Sequence, residues 1–272
     1  MSPSPVTSPV TSPVTSPVTS PVTIITGASR GLGLAIAKQL LAKGHRILTL
    51  QRTPNADLTK FAGNLPEMLE QWSVDLTSPV EVAEQLQQWV AGLPRSSVSS
   101  LNLINNAALL VEPGPLASVD LATISHAIRA GLEAPVLLSA AFLGASDDLG
   151  SEVPRKILNI SSGLGRQAMA GSAVYCATKA GMDHVSRSLA LEAARHPNGA
   201  RIISLAPGVI DTDMQVQLRG ADPVAFPDQQ RFAGLKSGGL LDTPESAAAK
   251  VVAYLERPDF GKTVIADVRD PN

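Results

Sequence analysis

The sequence predicts an α/β protein: one doubly wound parallel sheet in a single domain, with helices on both faces. Two observations carry that expectation. From residue 22 onward, short apolar runs rich in β-branched residues alternate with longer segments whose apolar residues recur at helical spacing. In addition, each of the first six runs is followed by a polar or conformationally special residue: Gly27, Arg52, Asp75, Asn105, Ser162 and Pro207-Gly208. Ligands of such sheets sit beyond the carboxyl ends of the strands, so six positions in register imply one shared crevice.

The elements follow in order. Residues 22–26 read as the first strand, and GLGLAIAKQLLAKG as the helix after it. Residues 46–50 are the second strand, 57–62 a short helix or loop, and 71–75 the third strand. A helix over 80–91 is announced by Thr77-Ser78-Pro79, with proline in the first turn. Strand 101–105, a long helix 117–143, strand 156–160, a long helix 173–194 and strand 201–205 come next. A helix over 244–255 and a strand over 263–268 close the pattern. The Gly-, Pro- and Gln-rich stretch 213–241 is the least regular and is expected to form a lid.

Five copies of Ser-Pro-Val-Thr occupy residues 4–23. They do not form a signal peptide, because no basic residue precedes Arg30 and a proline every fourth residue interrupts any apolar helix. Ser, Pro and Thr without large apolar groups cannot bury enough surface to offset ordering, so residues 1–21 are expected to be an inert, disordered tail and 22–272 the folded domain.

Composition narrows the partners. Of 272 residues, 44% are hydrophobic, enough for a large core, and the net charge of -2 includes no basic block that would suit nucleic acid or an anionic membrane. No run approaches eighteen apolar residues. The single cysteine, Cys176, excludes an internal disulfide and suits a reducing compartment, so a cytoplasmic protein is expected. Histidines at 45, 126, 184 and 196 lack ligand spacing, so no metal is expected.

The chemistry lies in two patterns. In Thr26-Gly-Ala-Ser-Arg-Gly-Leu-Gly33, glycines 27, 31 and 33 let the backbone turn tightly after a strand and present a helix N-terminus to a pyrophosphate. Tyr175 and Lys179 are four apart on a helix and share a face. An unperturbed phenol titrates near 10, and an adjacent ammonium draws it toward proton exchange at neutral pH. Tyr175 is therefore the candidate general acid for a ketone oxygen, with Ser162 as its hydrogen-bonding partner. Cys176, beside it, points elsewhere on the helix and reads as structural.

These residues together resemble the short-chain dehydrogenase/reductase family. TGASRGLG is similar to its TGxxxGxG signature, Asn105-Asn106-Ala107-Ala108 to its NNAG with Ala for Gly, Tyr175-Cys-Ala-Thr-Lys179 to its YxxxK thirteen residues after Ser162, and Pro207-Gly208 to its nicotinamide-side loop. The resemblance spans residues 22–270 and implies a Rossmann fold, an oxidoreductase acting on CH–OH or C=O groups, and homodimers or homotetramers joined through the two long helices. It implies Ser162, Tyr175 and Lys179 as catalytic residues, with Lys179 also on the nicotinamide ribose. The cofactor contacts it implies are Gly27, Ser29, Arg30, Gly31, Leu32 and Gly33 in the loop, then Asp75 at the adenine, Leu76, Asn105, Ala107, Tyr175, Lys179, Pro207, Gly208, Val209, Ile210 and Thr212. Strand two ends in Leu50-Gln51-Arg52, where an NAD enzyme would carry an acidic residue. Arg52 with Arg30 suits a 2′-phosphate, so NADP(H) is the expected cofactor.

One departure stands out. The family's asparagine in the helix after strand four aligns with Gly131, which puts the water-bridged proton relay in doubt. Within the family, PGVIDTDMQ, LLDTPESAAAKVVAYLE and the ending DFGKTVIADVRD are most like sepiapterin reductases and bacterial benzil reductases. That likeness implies a small-molecule carbonyl substrate held by Ser162 and Tyr175, with the Asp267 carboxylate as a further substrate contact. Another ketone, such as a ketoacyl thioester, and a non-catalytic NADP-binding sensor are the alternatives.

Overall fold

A computed structural model describes residues 19–63 and 65–270. The expectation for the repeat tail falls largely outside these residues. Seven parallel strands form one sheet in the order β3-β2-β1-β4-β5-β6-β7. They are β1 (Ser20–Thr26), β2 (Arg46–Gln51), β3 (Leu69–Ser73), β4 (Val98–Asn105), β5 (Arg155–Ile160), β6 (Arg201–Ala206) and β7 (Ile265–Asp267). Chain order reverses between β1 and β4, and a cleft at the strands' carboxyl ends opens at this switch point.

Why both faces are covered can be read along β1. Val22 and Ile24 enter one core, and Ile25, pointing the other way, enters a second. The first core is closed by α3 (Pro79–Ala91) through Leu86 and by α5 (Ala134–Ser146) through Leu138 and Phe142. The second is closed by α1 (Gly31–Ala42) through Ile36 and Leu40 and by α9 (Pro244–Leu255) through Val251 and Val252. The short α2 (Ala56–Ala62), capped by Asn55, follows β2, and α6 (Ala173–Ala193) follows β5.

Several boundaries depart from expectation. β1 starts at Ser20, and its register against β4 shifts between Ser20 and Pro21, an irregularity that accommodates a residue with no N–H. The third strand runs two residues earlier than expected. The expected long helix begins later, at α4 (Leu121–Ile128), because Asp120 caps it by accepting from the Thr123 N–H at 2.9 Å. It then passes through a π-helical turn, Arg129–Glu133, into α5. The whole rod, Leu121–Ser146, is long and apolar enough to cross a membrane. One side of it packs against the sheet, with Ala134, Leu138 and Phe142 fully buried, while Leu121, Ile128 and Val136 are exposed.

The stretch expected to be irregular folds into α7 (Asp213–Gly220) and α8 (Gln229–Ser237). These two have their own small core of Leu218, Ala221, Phe226 and Phe232, packed against Leu110 and Met169. Phe226 and Phe232 stack with ring centroids 5.7 Å apart. The helices there were not legible because their apolar stripe faces this local cluster and is too short to show a period.

Candidate active site

The cleft has a volume of about 1230 Å³, and its walls come from the ends of β1 through β7 and from α7 and α8. At the β1 end, Gly27 and Gly31 have φ of +71° and +56°. Gly33 is the tightest position, since a Cβ there would lie 2.2 Å from the Gly27 carbonyl oxygen. The loop is tied to β4 by Asn106, whose side-chain amide donates to the Thr26 and Gly27 carbonyls at 3.0 Å each. No side chain caps the α1 N-terminus, so its first N–H groups face the cleft mouth with positive partial charge.

A polar lattice that the sequence reading missed steadies this loop. The Asn55 side chain donates to the Ser29 carbonyl (2.8 Å), its backbone N–H donates to Gln71 Oε1 (2.8 Å), and Gln51 Nε2 donates to the same oxygen (2.7 Å). The sequence reading gives Asn55 no role and places Gln71 only at the start of the third strand.

Charged groups at the β2 end divide unevenly. Arg30 is paired with Asp213 at 2.7 Å, both side chains being largely exposed, so its charge is already matched. Arg52 forms no salt bridge among the described residues. Its charge reaches Asp75, whose carboxyl is held below the usual range first by the Thr77 backbone N–H and in lesser part by Arg52. Asp75 and Leu76 both line the cleft.

Asn105 departs from expectation. It does not line the cleft; its amide donates to Asn159 Oδ1 at 2.8 Å and to Ser139 Oγ at 3.3 Å, bracing β4 against β5 and α5. Side chains alternate along a strand, so it is the next residue, Asn106, together with Ala107, that faces the cleft.

Ser162, Tyr175 and Lys179 converge on the cleft wall. Lys179 is buried, its Nζ donates to the Ile160 carbonyl at 2.7 Å, and it lies 5.6 Å from the centre of the Tyr175 ring. Burial pushes the Tyr175 phenol up to about 12, against the pull of a hydrogen bond from Ser162. Burial likewise draws Lys179 down to about 8, while the negative charge of Asp183 acts in the opposite direction. Asp183 is one helical turn beyond Lys179 and 1% exposed. Its Oδ1 accepts from Ser161 and Ser204 hydroxyls at 2.6 Å each, and its Oδ2 from Arg166 Nε at 3.3 Å. Sequence reasoning passed over Asp183, although its spacing of four from Lys179 marked the shared face.

Gly131 sits in the π-helical turn, and a Cβ there would lie 3.3 Å from the side chain of Thr178, the neighbour of Lys179. The rod therefore approaches α6 closely, and a side chain at 131 would require Thr178 to give by a few tenths of an ångström.

The far walls hold the remaining residues. Pro207, Gly208, Val209, Ile210 and Thr212 line the cleft after β6. Asp267 lines it after β7, but its two oxygens are gripped by Arg269, from Nε at 2.8 Å and from Nη2 at 2.6 Å. That fork holds the Asp267 carboxyl below its ordinary range.

A nicotinamide dinucleotide fits these residues on two grounds: a cradle at Gly27 and Gly33 that side chains would fill, and the Gln51 side-chain oxygen, buried at the cleft without a hydrogen-bond partner. Comparison with known proteins agrees. Residues 21–222 match the family described as short chain dehydrogenase. The chain is 32% identical over 237 residues to the benzil reductase ((S)-benzoin forming) of Bacillus cereus, covering 87% of this chain and 94% of that protein. It is 32% identical over 263 residues to the sepiapterin reductase of Mus musculus, covering 91% and 96%. Among solved structures, a short-chain dehydrogenase/reductase from Burkholderia vietnamiensis is 33% identical with a TM-score of 0.59, covering 92% and 98%. With its glycine cradle, its Ser-Tyr-Lys wall and these relatives, the chain belongs to the short-chain dehydrogenase family, oxidoreductases that use a nicotinamide cofactor on CH–OH and C=O groups.

Proposed function

We propose that this protein is an NADPH-dependent carbonyl reductase acting on a small aromatic diketone. The observation that carries the reading is the pairing of Ser162, Tyr175 and Lys179 with an apolar wall of Leu109, Met169, Met214, Leu218 and Phe232 in one cleft. Flat apolar substrates gain most from such a wall. The preference for NADPH rests on Arg52, whose guanidinium is matched by no salt bridge among the described residues, at a strand end with no acidic residue.

When bound, the nicotinamide supplies the hydride that reduces the carbonyl carbon. Tyr175 donates its phenolic proton to the carbonyl oxygen, and the high pKa of that phenol keeps the proton in place until then. Ser162 holds the same oxygen by hydrogen bond. Lys179, anchored on Ile160, keeps a positive charge beside the ring and stabilises the phenolate left behind.

A second reading, reduction of a pterin side-chain ketone, is favoured by Asp267 in the cleft wall. An aminopyrimidine would have to displace Arg269 before it could place two N–H groups on that carboxylate. The test is turnover of benzil and of sepiapterin with NADPH and with NADH, followed by cofactor absorbance. Benzil reduction with NADPH preferred supports the reading. Cofactor binding with no turnover of any ketone would make the protein a sensor. Leu121 and Leu191, 81% and 73% exposed on α4 and α6, support self-association through those helices, which sedimentation would test.

A further inference from the structure

Thr212-Asp-Met-Gln215 has the spacing of a capping box, in which the third helical residue reaches back to the N-terminal N–H. The box does not form. Thr212 gives α7 no side-chain cap, and its hydroxyl donates to the Ile210 carbonyl at 3.5 Å. Gln215 is 6% exposed, its carboxamide oxygen is shielded from solvent, and neither end of the carboxamide has a hydrogen-bond partner among the described residues. The other buried carboxamides, of Gln51, Asn102, Asn105 and Asn159, each donate to a named acceptor, although the oxygens of Gln51 and Asn105 are likewise without a partner among the described residues. Gln215 lines the active-site cleft. Its neighbours there, Met214, Leu218 and Phe232, are apolar, and they belong to the cluster packed against Met169, which lies between Ser162 and Tyr175 in the chain.

A buried carboxamide with no partner is unfavourable unless something completes it. Within an otherwise apolar patch, a substrate group of matching chemistry does so. The Nε2 donors match a carbonyl oxygen and the shielded Oε1 matches a hydroxyl, so an α-hydroxyketone completes both ends of the amide and a dicarbonyl completes its donor end. We propose that Gln215 is a specificity-determining residue that hydrogen-bonds the second oxygen of a vicinal dicarbonyl or α-hydroxyketone, while Ser162 and Tyr175 take the first. A simple ketone leaves the carboxamide unpaired in a water-free complex, and that unmade bond is the basis of discrimination. The assignment rests on the carbonyl-reductase reading above.

The test uses benzil and the monoketone in which one of its carbonyls is a methylene, each with NADPH. Wild type is compared with Gln215→Leu and with Gln215→Met, which matches the original length should the leucine variant fold poorly. The bond exists in both the bound and the transition state, so its loss should raise KM for benzil about tenfold or more with kcat little changed. Values for the monoketone should move by less than about twofold, the NADPH Kd should hold, and the melting temperature should hold or rise. Equal losses on both ketones, unchanged KM for benzil in both variants, or weakened NADPH binding would overturn the assignment while leaving the reductase reading intact. A wild-type protein that reduces neither compound would overturn both.

Discussion

At the β1–β2 end of the cleft, the wall is made of backbone: two left-handed glycines, a third whose Cβ would strike a carbonyl, and a helix N-terminus that no side chain among the described residues caps. At the α7–α8 end it is made of side chains drawn from segments far apart in sequence, Leu109, Met169, Gln215 and Phe232 among them. The first end has few solutions, because only glycine meets its steric demands. The second has many, because apolar groups of similar volume exchange readily. The difference teaches where this enzyme is fixed and where it is free to change substrate.

Four variants sharpen that contrast. Tyr175→Phe removes the proposed proton donor, which lines the cleft between the two ends. It should lower kcat roughly 10²–10⁴-fold while leaving the NADPH Kd unchanged, as stopped-flow reduction and fluorescence titration would record. Retained turnover would remove the tyrosine from the mechanism. Gly33→Ala tests the backbone end. Overpacking against the Gly27 carbonyl should cost about 3 kcal/mol, or about a hundredfold in cofactor affinity, and near-native binding would show the loop yields more than its geometry implies.

Arg52→Ala asks how much of that end is side chain after all. Loss of a charge-assisted contact should weaken NADPH by about 10- to 100-fold and leave NADH nearly unchanged. An equal effect on both would dissociate Arg52 from the phosphate. Asp183→Asn has the smallest effect. Lys179 has a pKa of about 8 that the Asp183 charge raises. In wild type, kcat/KM for reduction should therefore fall as pH rises through about 8 and the ammonium is lost. Without that charge the pKa drops, and the descending limb should move to lower pH. A limb that stays put, or moves up, would detach it from Lys179.

Much of this was visible in the chain. The seven strands, the glycine loop and the Ser162-Tyr175-Lys179 set were all legible, because each depends on local spacing: period two, period 3.6, or a glycine where only glycine fits. The gaps share a cause. Asn105 was assigned to the cofactor and Asn106 was not, since the pattern marks the strand's end but not which face each residue takes. Asp267, expected as a substrate contact, does line the cleft, and nothing in DVRD announces that Arg269 folds back onto it. The helices 213–220 and 229–237 lie in the stretch expected to be an irregular lid, and their periodicity is hidden because their core is shared with Leu110 and Met169, far off in sequence.

The sequence by itself determined the α/β fold, the tight glycine loop after β1 and the shared helix face of Tyr175 and Lys179, because backbone sterics and helical periodicity act over a few residues. Only the tertiary structure decided that Arg30 is matched by Asp213, that Asp183 is buried one turn beyond Lys179, that Gly131 lies against Thr178, and that Arg52 has no salt bridge and Gln215 no hydrogen-bond partner among the described residues. Charge pairing, desolvation and close packing depend on which side chains the fold brings together, and spacing along the chain carries no record of that.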